Sequence, residues 1–211
     1  MNKQDWLKER KKGIGGSDAS AILGLNPYKT NVQLWEEKVG LREPEDISDK
    51  DYVKYGTDAE DMLRKLFAMD YPEYTVSHPD GFEMLWHPQY PFLFASLDAA
   101  LAERETGRKG VLEIKTTNIL QSMQKEKWRE QIPDNYYIQV LHYLLVTGWD
   151  FAILKAQLKY DYADGLMLVT KHYHIERLDV ADDVGILLKA EVKFWHQVEK
   201  KQRPDLILPG I

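Results

Sequence analysis

The chain has no cysteine, which excludes disulfide bridges, thiolate zinc sites and iron–sulfur clusters. It has no apolar run of about eighteen residues, the length a membrane helix needs, so no membrane association is expected. Its first residues, Met1-Asn2-Lys3-Gln4-Asp5-Trp6, lack the apolar stretch of a secretory leader. A cytoplasmic location is the expectation. Internal repeats, low-complexity tracts and Gly/Ser linkers are also missing, so one domain over residues 1–211 is expected.

What remains is ample for a packed core. The 211 residues, 24.6 kDa, are 44% hydrophobic and 11% aromatic, enough for one α/β domain. The net charge of −6 argues weakly against a general nucleic-acid binder. The charge is uneven, however. Lys8, Arg10, Lys11 and Lys12 cluster near the start, and Lys125, Lys127 and Arg129 form a second basic group. A protein with acidic metal ligands can be acidic in total and still carry a basic groove.

Patterning supplies an element order. Residues 2–12 read as a helix broken by Gly13-Ile14-Gly15-Gly16. Ser17 or Asp18 is expected to cap a short helix over residues 19–23, ended by Gly24. Thr30 and Gln33 form a capping box for a helix that ends at Gly40. Met62, Leu63, Leu66, Phe67 and Met69 carry the helical period of a long helix over residues 51–69. Residues 74–85 should hold one or two short strands. Residues 92–103 and 110–117 read as strands joined across Thr106-Gly107. Asn118 is expected to cap a helix over residues 119–129, and Pro133 to open another that Gly148 ends. Residues 151–159 and 166–176 look like a second hairpin, and residues 179–200 like a closing helix. The order fits an α/β sandwich around a mixed sheet.

The chemistry concentrates in Val111-Leu112-Glu113-Ile114-Lys115 and in Asp98 upstream. A hairpin centred near Glu105-Thr106 places Asp98 roughly opposite Glu113. Side chains alternate along a strand, so Glu113 and Lys115 share a face while Leu112 and Ile114 point into the core. Directly opposed like charges destabilise a sheet, and a bound cation is the simplest compensation. Two carboxylates and an ammonium are the equipment of a divalent-metal phosphodiesterase: oxygens to hold the ion, and a cation to orient water or steady the developing charge. The six histidines show no metal-ligand spacing.

Asp98 followed by Glu113-Ile114-Lys115 resembles the PD-(D/E)xK nuclease superfamily, although Phe94-Ala95-Ser96-Leu97-Asp98 lacks its adjacent proline. The segment from Arg10 through Gly13-Ile14-Gly15-Gly16-Ser17-Asp18 to Asn26-Pro27-Tyr28 is similar to the signature of the YqaJ-like viral recombinase family, relatives of the phage lambda exonuclease. With Glu60 and Gln139 in order, the resemblance spans about residues 6–150. It implies an α/β fold with a PD-(D/E)xK restriction-endonuclease-like core, a central mixed β-sheet flanked by helices.

The same resemblance implies roles. Asp98, Glu113 and the Ile114 backbone carbonyl would bind Mg²⁺ (or Mn²⁺), with Glu60 supporting the metal directly or through water. Lys115 would be the catalytic lysine, and Gln139 the glutamine on a helix beside the site. Arg10 and Ser17 would hold a 5′-terminal phosphate, a match that also suits a guanidinium fork. Tyr28, Trp35, Trp128 and Tyr143 are weaker candidates for contacting DNA, the first three by stacking on unpaired bases. The implied activity is a Mg²⁺-dependent 5′→3′ exonuclease on linear double-stranded DNA. A single-strand annealing protein as partner, a ring-shaped homotrimer and a phage or prophage origin are also implied. An endonuclease on the same core, or a non-catalytic DNA-end binding module, are the alternatives.

Overall fold

The computed structural model describes residues 2–78, 83–120, 122–129, 131–162 and 165–208. Four helices come first: α1 (Lys3–Arg10), α2 (Gly16–Ile22), α3 (Asn31–Lys38) and the long α4 (Asp51–Asp70). Strands β1 (Tyr74–Ser77), β2 (Leu85–Trp86), β3 (Phe94–Ala95), β4 (Ala99–Glu103) and β5 (Lys109–Ile119) follow. Helices α5 (Ser122–Lys127) and α6 (Asp134–Thr147) lead to the hairpin β6 (Phe151–Tyr162) and β7 (Gly165–Glu176), and α7 (Ala181–Glu199) closes the chain.

The central sheet has the order β1-β4-β5-β6-β7 and is mixed: β5 and β6 are parallel, the other pairs antiparallel. Parallel neighbours need a crossover, and α5 with α6 supplies it. Both faces of β5 and β6 are covered, which is why each carries an almost unbroken buried run. On one face Val111, Ala152, Leu154 and Ala156 pack with Ile138, Leu141 and Leu144 of α6. On the other, Leu112, Ile114 and Ile153 pack with Leu63 and Phe67 of α4. Among the described residues no helix is long and apolar enough to cross a membrane.

Several local expectations need correction. The strand expected over residues 92–103 is two strands, β3 and β4, with residues 96–98 between them outside any ladder. Asn118 caps nothing; it lies in β5, held by a parallel register with Lys159, and α5 starts only at Ser122. Sheet pairing overrides the capping preference there. Helix α2 begins at Gly16 rather than Ala19, with Gly15 as its cap residue. Asp18 reaches back from the third helical position to the Gly15 N–H, 3.2 Å away. The Thr30–Gln33 box is formed as expected. The turn expected at residues 161–165 falls partly outside the described residues, as does the end of the tail.

Gly16 is required by close approach. A Cβ there would stand 2.5 and 2.8 Å from ring atoms of Tyr143 and 3.0 Å from Cγ of Gln139, both on α6. Alanine normally favours a helix over glycine, but here overpacking dominates. Gly16→Ala is expected to cost about 1–3 kcal/mol in urea unfolding; an unchanged or raised midpoint would show that α2 can shift freely on α6.

Candidate active site

The register Ala99↔Leu112 carries one step further to set Asp98 opposite Glu113, just past the end of the β4–β5 ladder. Freed from the ladder, the Ile114 N–H donates to Asp98 Oδ2 at 2.7 Å. The carbonyl of a strand residue points to the same side as its N–H, so the Ile114 carbonyl faces the same carboxylate. Lys115 Nζ is 2.7 Å from Glu113 Oε1. Gln139, brought in by α6, donates through Nε2 to Glu113 Oε1 at 2.9 Å and to the Tyr143 hydroxyl at 2.8 Å. One helical turn separates Gln139 from Tyr143, so both lie on the α6 face toward β5.

Glu60 enters from α4, on the other side of the sheet. It is half-buried and accepts from Arg64 Nη1 at 3.2 Å. Arg64 lies one turn further along the helix and was not foreseen, although its spacing of four from Glu60 is a readable signal. Tyr136 is a second addition: Lys115 Nζ sits 5.2 Å from its ring centre.

The electrostatics show strain between like charges. Burial, reinforced by Asp98 and opposed by Lys115, pushes the Glu113 carboxyl up to about 8. Burial and then Asp98, opposed by Arg64, push Glu60 up to about 7. Burial also raises Asp98, against the pull of Lys115 and the Ile114 N–H. Burial alone would lower the Lys115 ammonium, but Glu113 and Asp98 outweigh it and hold the lysine firmly protonated. Glu113 Oε2 is buried without a hydrogen-bond partner. Buried carboxylates that repel one another, with one oxygen unanswered, fit a divalent cation. Among the described residues no three acidic or histidine side chains converge as a ready-made metal cluster. The donors would therefore be Asp98, Glu113 and the Ile114 carbonyl, with water completing the shell, as suits Mg²⁺.

The structure brings Arg10 and Ser17 together: Arg10 Nη2 donates to Ser17 Oγ at 2.7 Å, and the guanidinium carbon lies 4.5 Å from the Trp6 ring centre. Much of the remaining N-terminal basic cluster is paired, Lys11 with Glu43 and Lys12 with Glu9. Beneath it, Lys38 Nζ bonds Asp18 Oδ2 at 2.7 Å and the Arg10 carbonyl at 2.9 Å. Burial would raise Asp18, but Lys38 and Arg10 outweigh it and hold it at about 2. This pair ties α1, α2 and α3 together. The Gly16–Tyr143 contact then joins the Arg10–Ser17 pair to the Gln139 side of the carboxylate site.

The weaker candidates divide. Tyr28 is 86% exposed, so its ring lies open at the surface. Trp35 and Trp128 are not available for stacking. Trp35 is buried and donates its indole N–H to the Gln197 carbonyl; Trp128 is buried against Tyr136 and Tyr173. Tyr143 is buried, and its place is beside the site rather than on a surface.

The profile of the YqaJ-like viral recombinase domain matches residues 5–150. A Bacillus subtilis (strain 168) protein described as uncharacterized protein YqaJ is 36% identical over 202 residues, covering 93% of this chain. The chain spans 56% of that relative's length. The alkaline exonuclease LHK-Exo from Laribacter hongkongensis superposes with TM-score 0.66 at 15% identity over 94% of each chain. A phage related exonuclease from Haemophilus somnus 129PT gives 0.58 at 15% identity, over 90% of this chain and 96% of its own. These likenesses establish the fold, a mixed sheet flanked by helices.

A stability prediction follows from the raised carboxyls. Glu113 at about 8 and Glu60 at about 7 stand above the unfolded value near ~4.3. The folded protein therefore binds more protons, and this contribution to stability is lost as pH rises through that window. Without divalent ions, melting temperature should fall between pH 5.5 and 8.5 on the order of this titration. Glu113→Gln should flatten the fall. A profile that rises with pH, or is untouched by Glu113→Gln, would contradict the assignment.

Proposed function

The chain belongs to the YqaJ-like viral recombinase domain family, and from that premise we propose that it is a Mg²⁺-dependent 5′→3′ exonuclease. Its substrate is linear double-stranded DNA. It releases mononucleotides and leaves a 3′ single-stranded tail for a single-strand annealing partner. The observation that carries this reading is the joining of two sites: the Arg10–Ser17 pair abuts the Asp98, Glu113 and Lys115 cluster through Gly16, Tyr143 and Gln139. That both structural neighbours are exonucleases supports it.

Asp98, Glu113 and the Ile114 carbonyl would hold the divalent ion. When bound, that ion polarises the phosphate and lowers the pKa of water. Lys115, held protonated by Glu113 and Asp98, steadies the charge that gathers on the phosphoryl oxygens as water oxygen bonds to phosphorus. The attacking water gives up a proton to solvent, the P–O3′ bond breaks, the 3′-oxygen of the released nucleotide takes a proton to become a hydroxyl, and the strand keeps a new 5′-phosphate. Gln139 and the Tyr143 hydroxyl fix the orientation of Glu113. Arg10 and Ser17 receive the new 5′-phosphate, so polarity follows from the pocket's place beside the carboxylates. A homotrimeric ring around DNA, and action in the cytoplasm of a phage-infected or prophage-bearing bacterium, complete the proposal.

The test is digestion of a linear duplex labelled at the 5′ or the 3′ end, beside a covalently closed circle, in Mg²⁺ and in EDTA. Immediate release of the 5′ label as mononucleotide, an intact circle and no cleavage in EDTA are expected. Cutting of the circle would replace the reading with an endonuclease; end binding without cleavage would replace it with a binding module. Lys115→Ala should lower cleavage by about 10²–10³-fold or more while DNA binding survives. Arg10→Ala should reduce the preference for 5′-phosphorylated ends about tenfold to a hundredfold, the ~1.5–3 kcal/mol of hydrogen bonds to a charged group. A retained preference would remove Arg10 from the pocket.

A further inference from the structure

The Asp98 peptide has no place in either neighbouring ladder. Pairing of β1 with β4 ends at Ser77↔Ala100, and pairing of β4 with β5 ends at Ala99↔Leu112. A carbonyl left out of a sheet near the core needs donors from elsewhere. Arg64 supplies one, with Nη1 3.1 Å from the Asp98 carbonyl oxygen. His78 Nδ1 lies 2.9 Å from the same oxygen; against a carbonyl, that nitrogen must be the donor.

The same Arg64 Nη1 also reaches Glu60 Oε1 at 3.2 Å, while Nη2 bonds Asp61 Oδ1 at 2.8 Å. The Arg64 side chain is only 12% exposed. One guanidinium thus ties a carboxylate of α4 to the backbone of the carboxylate that precedes β4. The planar fork suits this task, because its donors leave in fixed directions toward several acceptors at once. A lysine ammonium keeps the charge but lacks the fork.

We infer that Arg64 is a positioning residue of the metal site, which sets Glu60 and the Asp98 backbone in place before a divalent ion arrives. The inference rests on the metal-dependent reading above. Its contribution is geometric. Removing its charge alone would make the site more negative and favour a cation, whereas loosening Asp98 and Glu60 disfavours one. The two effects have opposite signs, so the experiment can tell them apart. Loss of groups that orient metal ligands typically weakens metal binding by about 10–100-fold.

The measurement is calorimetric titration of Mn²⁺ into the DNA-free protein, for the parent, Arg64→Lys, Arg64→Gln and Asp61→Asn. Both Arg64 variants are expected to bind Mn²⁺ about 10–100-fold more weakly. Their binding to 5′-phosphorylated duplex ends in EDTA should stay at the parental level, and high metal concentration should restore cleavage. Asp61→Asn, which weakens the partner on the outer side of the guanidinium and an exposed pair with Lys65, should bind Mn²⁺ as the parent does. Parental affinity in Arg64→Lys would reduce the residue to a simple charge, and tighter binding in Arg64→Gln would make it a competitor of the metal; either overturns the inference. Equal weakening by Asp61→Asn would also overturn it, as general loosening of α4. A parent that takes up no Mn²⁺ would remove the metal reading itself.

Discussion

Mutual repulsion between Asp98 and Glu113 is the constraint around which the rest of the site is arranged. They stand opposite each other on adjoining chain segments, where like charges destabilise a sheet, and burial worsens the conflict by raising both carboxyls. Each neighbour answers part of it. The Ile114 N–H takes one Asp98 oxygen, and Lys115 with Gln139 takes one Glu113 oxygen. The second Glu113 oxygen is answered by nothing among the described residues. Such an arrangement persists only where the surrounding fold over-determines it, and it leaves one buried carboxylate oxygen open to the divalent ion of the proposed function.

The fold supplies that over-determination through β5. Its side chains alternate between two hydrophobic layers, Leu112 and Ile114 toward α4 and Val111 toward α6. A slip of one residue would exchange the layers and bury Lys115 against Leu63 and Phe67, so the apolar pattern pins the register. Helix α6 is fixed in turn by His142. Its ring nitrogens lie 2.7 Å from Glu191 Oε1 on α7 and 2.8 Å from the Phe94 carbonyl on β3. Burial would lower this imidazole, but Glu191 outweighs it and raises it. Gln139 therefore meets Glu113 from a helix that cannot easily rotate.

How much of this was legible in the sequence depended on whether local pattern or tertiary contact decided each element. Strand β5, helix α6 with its Gly148 end, and the Thr30–Gln33 box were readable, because an apolar period or a capping pair determines them locally. The break between β3 and β4 was not. Phe94-Ala95-Ser96-Leu97-Asp98 alternates well enough to read as one strand, and only the Arg64 and His78 bonds to the Asp98 carbonyl show why the ladder stops short. Asn118 misled for the opposite reason: a good cap residue was kept in β5 by ten paired positions with β6. Trp35 and Trp128 looked like free aromatics because nothing in the sequence reveals that α7 and β7 cover them. Asp98, Glu113, Lys115, Gln139, Arg10 and Ser17 could be named from the sequence, but the approach of the Arg10–Ser17 pair to the others depends on α2 meeting α6 at a glycine.

On the proposed reading, that meeting joins two separable chemistries into one directional device. A phosphate pocket alone would bind ends, and a carboxylate cluster alone would cut wherever a backbone reached it. Here the separation between them is set by rigid groups: the Gly16 backbone against the Tyr143 ring, and the Tyr143 hydroxyl on Gln139. Tyr143 is held neutral by burial and by Glu113 and Asp98, with Arg10 pulling the other way. Being neutral, that hydroxyl links the two groups by position rather than by charge: a shift at the α2–α6 contact would move Tyr143 and Gln139, and with them the orientation of Glu113.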